Sequence, residues 1–329
     1  MRIVGFLRFV LFLVVASSVW GAEPFQTYAM PTPHALPARV AVDKANDVWF
    51  IEVNTNKLAK FNPATESFTE FDLPTYRCFP ADLTLDDAGR VWFVEQDANQ
   101  LGVFDPASKS FKEYDIPTIE SSPLRIAADA SGKIWFTQFY GNKIGMFDPL
   151  SERFEEYDIP TPDARPVGIV ADYKGRVWFI ENRGNKLGRL DVATGKILEY
   201  PMPNPFESAM DIAIDRLGYI WFSGDKGRSL VMFDPVAEKF ESFPVPSRAS
   251  MDSLTVDAEG KVFFTIRDAS KVGVFNPKTK EFIELKVGLG ESKPRGIAVD
   301  GAGDVWFGDI KQDVLFKVRG DALSKLWMQ

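Results

Sequence analysis

The string Asp43-Lys44-Ala45-Asn46-Asp47-Val48-Trp49-Phe50 returns as Asp86-Asp87-Ala88-Gly89-Arg90-Val91-Trp92-Phe93, and again ahead of Trp135, Trp178, Trp221, Phe263 and Trp306. The aromatic positions stand 43 residues apart, with one step of 42 into Phe263. A turn followed by strand-forming residues, repeated at that period, predicts an all-β chain folded as a seven-bladed β-propeller of four-stranded antiparallel blades. Between the first two strands of each repeat, Gly89, Gly132, Gly175, Gly218, Gly260 and Gly303 share one position with Asn46. Gly and Asn tolerate positive φ, so a tight turn accounts for their recurrence. Asn62-Pro63, Asp105-Pro106, Asp148-Pro149, Asp234-Pro235 and Asn276-Pro277 mark the turn between strands three and four. In the third repeat the strands read as 124–128, 133–139, 143–147 and 153–159.

A ring needs a clasp. The segment Phe25-Gln26-Thr27-Tyr28-Ala29-Met30-Pro31 resembles fourth strands such as Phe68-Thr69-Glu70-Phe71-Asp72-Leu73-Pro74. It is therefore expected to complete the last blade, although Leu323-Ser324-Lys325-Leu326-Trp327-Met328 could fill the same place. The recurring Trp and Phe read as the core between blades, where each large ring buries extensive apolar area.

With 45% hydrophobic residues, 28 Phe and eight Trp, the chain has ample core material and disorder is not indicated. Residues 22–329 form one repeat domain, expected to be a monomer. Residues 1–21 differ: Arg2 and Arg8 precede the apolar run from Phe9 to Ala16, and small residues follow up to Gly21. That is the pattern of a secretory signal peptide, which implies export to the periplasm or the extracellular space. No later stretch is apolar for the roughly 20 residues that a membrane span needs. The single cysteine, Cys78, excludes an intrachain disulfide. The net charge of −8 becomes −10 once Arg2 and Arg8 leave with the signal, which disfavours nucleic acid as a partner.

Turns of one propeller face repeat regularly, whereas the other face varies. Three residues after the Trp stand Glu52, Glu95, Gln138, Glu181, Gly224, Ile266 and Asp309, and at the start of the first strands stand Arg39, Asp82, Arg125, Gly168, Asp211, Ser253 and Gly296. Architecture does not demand this divergence, so the variable face is the expected binding surface. Counting outward from the turns places Arg39 opposite Glu52, and Asp82 opposite Glu95 with two like charges facing each other. The candidate ligand-binding set is Arg39, Glu52, Asp82, Glu95 and Arg125, extended by Tyr140, Glu181, Arg183, Arg295 and Asp309. A divalent cation, Mg²⁺ or Ca²⁺, held by Asp82 and Glu95 would relieve their repulsion. The plain alternative is a solvated ion-pair network around the channel mouth. His34 is the only histidine and lies in the N-terminal connection, so acid–base chemistry would fall to Asp82, Glu95 or Tyr140.

The strings Pro166-Val167-Gly168-Ile169, Trp178-Phe179-Ile180-Glu181, Asn185-Lys186-Leu187-Gly188-Arg189 and Glu156-Tyr157-Asp158-Ile159-Pro160 resemble the virginiamycin B lyase (streptogramin lyase) family of seven-bladed propellers. The resemblance extends over all seven repeats. It implies an elimination that opens a cyclic depsipeptide at its ester, performed by His and Glu with Mg²⁺ on the variable face. One family His follows the Pro at the start of a first strand. The matching positions here hold Ala38, Ala81, Leu124, Val167, Met210, Asp252 and Arg295. Two readings follow: an exported protein that binds a small polar ligand or a protein partner on its variable face, or a metal-assisted enzyme, either a C–O lyase or a lactone hydrolase, built on Asp82 and Glu95.

Overall fold

A computed structural model describes residues 25–203, 209–224, 228–288 and 290–326. The expected signal segment and Trp327-Met328 lie outside the described residues. Among the described residues, twenty-eight strands form seven four-stranded antiparallel sheets, six of them made of consecutive strands. The innermost strands, in blade order, are Pro37–Val42, Pro80–Leu85, Pro123–Ala128, Pro166–Ala171, Ile212–Ile214, Leu254–Val256 and Pro294–Val299. The third blade's strands, Pro123–Ala128, Ile134–Gln138, Lys143–Asp148 and Arg153–Asp158, fall within a residue or so of their expected places.

The seventh sheet is closed by the N-terminal strand Phe25–Ala29, which pairs antiparallel with Val314–Val318, Phe25 opposite Val318 and Ala29 opposite Val314. Among the described residues the C-terminal segment supplies no strand. Gly320–Leu326 is a short helix whose first amide donates to Asp304 Oδ1 at 2.8 Å.

The second strands, such as Val48–Glu52, are buried along their length apart from Arg176 at the start of Arg176–Glu181, because sheets pack on both of their faces. Outer strands such as Ser67–Asp72 instead alternate between solvent and core, as period-two patterning requires. The Trp rings lie between blades as expected: Trp49, Trp92, Trp135, Trp178, Trp221 and Trp306 are at most 1% exposed. Trp49 sits 6.0 Å from Phe104 of the next blade, Trp92 5.7 Å from Phe147, and Trp306 5.7 Å from Phe61 across the closing interface.

The repeated Asp does more than shape a turn. Asp129 Oδ1 accepts the amides of Ser131 and Lys133 at 2.8 and 3.1 Å, and Oδ2 accepts Trp135 Nε1 at 2.8 Å. The same carboxylate-to-indole bond recurs at Trp49, Trp92, Trp178, Trp221 and Trp306. A buried indole N–H needs an acceptor, and this residue supplies it while Gly132, at φ +83°, lets the chain turn back. Between blades, Thr32, Thr75 and Thr118 give both amide and hydroxyl to Glu70, Glu113 and Glu156 of the following blade.

Candidate functional site

The inner strands do not run straight to their ends. Their pairing slips between Ala38 and Val40, Pro80 and Asp82, Pro123 and Ile126, Pro166 and Ile169, and Arg295 and Ala298. Each slip is a β-bulge, an extra residue that bends the strand and re-aims its side chain. Arg39 and Gly296 occupy theirs at φ +49° and +63°. The bulges overturn the two expected cross-strand pairs. Glu52 faces Pro37 rather than Arg39, Glu95 faces Pro80, and Asp82 faces Val94. Counting outward from the turn fails because it cannot register the inserted residue.

Re-aimed, these side chains meet over the central channel. The Arg39 guanidinium crosses from blade 1, with Nη1 donating to Ser253 Oγ of blade 6 at 3.0 Å and to Asp211 Oδ2 of blade 5 at 3.3 Å. Its Nε lies 3.7 Å from Asp82 Oδ1 of blade 2. The two carboxylates also pin neighbouring blades: Asp82 Oδ2 accepts the Ile126 amide and Asp211 Oδ2 the Leu254 amide, both at 3.1 Å. Ser253 Oγ accepts the Gly296 amide at 3.2 Å. A polar cavity of about 350 Å³ follows, lined by Arg39, Asp82, Arg125, Asp211 and Ser253 near its charged end and by Thr84, Ile169 and Thr255 further along.

Burial sets the electrostatics. Arg39 is 6% exposed, and although desolvation opposes its charge, Asp211, Asp82 and Asp252 hold its pKa above the ordinary value. Desolvation pushes Asp82 up to about 7, with Arg39 pulling the other way. Asp211 is raised for the same reason and likewise opposed by Arg39. Beside this cluster, Asp252 lies 3.4 Å from Arg267 and 3.6 Å from Arg295. Desolvation lowers Arg295.

Of the residues singled out in the sequence, Arg39, Asp82 and Arg125 come together in the channel, with Arg295 beside them. Glu52, Glu95, Glu181 and Asp309 do not. Each is fully buried and none lines the cavity. Glu52 accepts Thr55 Oγ1 at 2.7 Å, Glu95 lies against Cys78 and Glu113, and Glu181 against Glu199. Desolvation raises all three to about 7. Asp309 caps its loop, accepting the amides of Lys311 and Gln312 at 2.8 and 2.9 Å and the Ser292 hydroxyl. Tyr140 is 64% exposed on the outer rim, where the Arg165 guanidinium stacks 4.5 Å from its ring. Arg183 is also at the rim, paired with Asp163 at 2.5 Å.

Asp211, Ser253 and Asp252 complete the channel cluster. The first two share the repeat position of Arg39 and Asp82, a signal that pointed to all seven residues equally. A cation between Asp82 and Glu95 has no geometry to occupy, since one carboxylate belongs to the channel and the other to the interior of blade 2. Both Asp82 oxygens are already engaged, and among the described residues no three His, Cys, Asp or Glu side chains group as a metal site. Asp82 and Glu95 therefore do not fit a shared divalent metal. Asp82, Glu95 and Tyr140 thus lie in three separate places and share no reacting centre.

Comparison with known proteins agrees with the sequence resemblance. A sequence profile of the virginiamycin B lyase family matches residues 20–232. Selenomethionine-substituted virginiamycin B lyase from Staphylococcus aureus superposes with a TM-score of 0.84 at 27% identity, covering 89% of this chain and 98% of that one. A streptogramin B lyase gives 0.84 at 26%, covering 89% and 96%. A catalytically inactive histidine-to-alanine variant of the S. aureus enzyme with quinupristin gives 0.84 at 26%, covering 89% and 98%. No curated protein matches the chain.

Proposed function

The chain belongs to the virginiamycin B lyase family, and we propose that it is an exported binding protein of that family, one that holds a small polar ligand in its channel and performs no lyase reaction. The observation that carries this reading is Arg39. It is nearly buried on a strained bulge, is held across the channel by Asp211 and Ser253, and faces a polar cavity large enough for a small molecule. Positive φ at a non-glycine residue costs energy and persists only where its surroundings hold it in place.

Against catalysis stands the histidine count. Replacing one histidine inactivates the S. aureus relative, whereas the only histidine here, His34, is exposed in the connection after the clasp strand and does not line the cavity. The test uses purified mature protein, a calorimetric panel of amino acids, sugars and organic acids, and quinupristin as substrate. At least one class should bind saturably. Affinity should fall at least about tenfold in Arg39→Met/Asp82→Asn, which removes the guanidinium together with one of the two carboxylates that face it. Turnover of quinupristin, or unchanged affinity in the double variant, would overturn the reading. Export is checked by the N-terminus of the secreted protein, expected just after Gly21 or Ala22.

A second reading, a protein partner on the same face, draws on the rim side chains Tyr76, Ile119 and Tyr140, which are 78%, 84% and 64% exposed. It would be favoured if Tyr76→Ser/Ile119→Ser lost a captured partner that the channel double variant retained.

A further inference from the structure

We infer that the channel takes a small carboxylate, seated on the Arg125 guanidinium between the third and fourth blades. This inference rests on the channel-binding function proposed above and names its ligand class. Arg125 is 4% exposed and lines the cavity. Its Nη1 donates to the carbonyl of the adjacent Leu124 at 3.0 Å, and its Nε has no partner. A buried guanidinium nitrogen without an acceptor is costly, and a ligand oxygen relieves that cost.

Arg39 and Arg125 differ in what surrounds them. Arg39 has Asp82 and Asp211 against it, yet still leaves Nη2 unbonded. No carboxylate of the described residues comes within ion-pair distance of Arg125, and the equivalent residue of the next blade, Gly168, brings no charge to it. Asp82 is not available to it, with one oxygen toward Arg39 and the other on the Ile126 amide.

The balance of charge points the same way. Arg39 sits against Asp82 and Asp211, Arg295 against Asp252, and Arg267 against Asp252 and Asp268, which leaves Arg125 as the guanidinium of this cluster with no carboxylate of the described residues in ion-pair range, in a chain whose net charge is −8. One unpaired guanidinium calls for a monoanion, because a dianion would set its second charge against Asp82 and Asp211. The planar fork of a guanidinium matches the two oxygens of a carboxylate. A cavity of about 350 Å³ has room for the body of such an acid.

The test measures melting temperature and calorimetric affinity at pH 7 and constant ionic strength, with acetate and benzoate as probes, acetamide and benzamide as their neutral counterparts, and inorganic phosphate as the competing anion. Carboxylates should bind saturably and the amides at least tenfold more weakly. Arg125→Met should lose at least tenfold in carboxylate affinity and Arg125→Lys should lose less. Should Arg125→Met fail to fold, the ¹⁵N resonance of the Arg125 Nε–H in the unaltered protein should move on adding acetate and stay in place on adding acetamide. Amides binding as well as acids would overturn the carboxylate assignment and leave the polar-ligand function standing. Tighter phosphate binding, an unmoved Nε–H resonance, or unaffected affinity in a folded Arg125→Met protein would overturn it too. If no probe of any class binds here or in the wider panel, both the assignment and the channel-binding function fall.

Discussion

The absence of a side chain at residue 296 is what lets Arg39 keep its bulge. A Cβ on Gly296 would stand 2.5 Å from the Arg39 amide nitrogen and 2.7 Å from its Cα, and φ there is +63°. Backbone cannot yield as a flexible side chain can. Gly296→Ala is therefore expected to lower the urea midpoint by the equivalent of about 1–3 kcal/mol and to weaken channel binding as Arg39 moves. An unchanged midpoint would mean that the Arg39 bulge is not held by blade 7. At this scale the sequence is an uneven guide. Arg39, Asp82 and Arg125 were legible because they share one repeat position and differ in charge. Glu52 and Glu95 misled because a bulge is a one-residue event with no composition of its own, and one slip of register sends a side chain to a different neighbour.

Between second and fourth strands, three blades place two glutamates against each other: Glu52 with Glu70, Glu95 with Glu113, and Glu181 with Glu199. In the remaining member of the series, Gln138 Nε2 donates to Glu156 Oε1 at 2.8 Å. The glutamine reveals the role of the place, which is to donate. A glutamate can donate there only when protonated, and the Glu95 carboxyl has only the Cys78 thiol and Glu113 beside it. Their neighbours are few: Thr55 and Lys57 for Glu52, Cys78 for Glu95, Thr161 and Lys186 for Glu181, besides the paired glutamates. Burial lifts all three from 4.5 to about 7 in the folded protein. A folded-state pKa above the unfolded one favours folding in the protonated form, so the contribution is complete below pH 4.5 and is lost as pH rises through 7. Glu70 and Glu199 are lowered, chiefly by Thr32 and Lys57 and by Lys186 and Thr161 working against burial, and stay ionised throughout that range. Melting temperature should thus fall between pH 5 and pH 8. Glu52→Gln/Glu95→Gln/Glu181→Gln, copying Gln138, should flatten that dependence and gain on the order of 1 kcal/mol or more per blade at pH 8. A profile with the same slope in the triple variant would show that these glutamates are ionised in the fold. The string Trp-Phe-x-Glu was visible in the sequence. Its meaning was not, because only the partner strand shows that the acid faces another acid inside a blade and not a ligand.

The whole molecule is held by seven interfaces of one kind, and the clasp at the seventh is the one that depends on a strand from the far end of the chain. Phe25 packs edge-on against Phe307 and Phe316 at 6.3 and 6.0 Å, and Tyr28 reaches Phe61 of blade 1 at 4.4 Å and Trp306 at 6.0 Å. This architecture was readable because the 43-residue period fixes the blade and the 25–29 segment has a fourth strand's alternation. The competing C-terminal string carries apolar residues too, but Gly320 to Leu326 coil into a helix that buries Leu323 against the last blades instead. Without the clasp, Val314–Val318 becomes an exposed edge with apolar rings beside it, the kind of edge that recruits other chains. Deleting residues 25–29 is expected to abolish cooperative unfolding and drive aggregation. Appending that strand after the C-terminal helix through a flexible linker should restore a single transition near the original melting temperature, since the ring is indifferent to which end supplies the strand. If the deletion melts cooperatively at the original temperature, or if the appended strand fails to rescue it, closure by Phe25–Ala29 is not what holds blade 7 to blade 1.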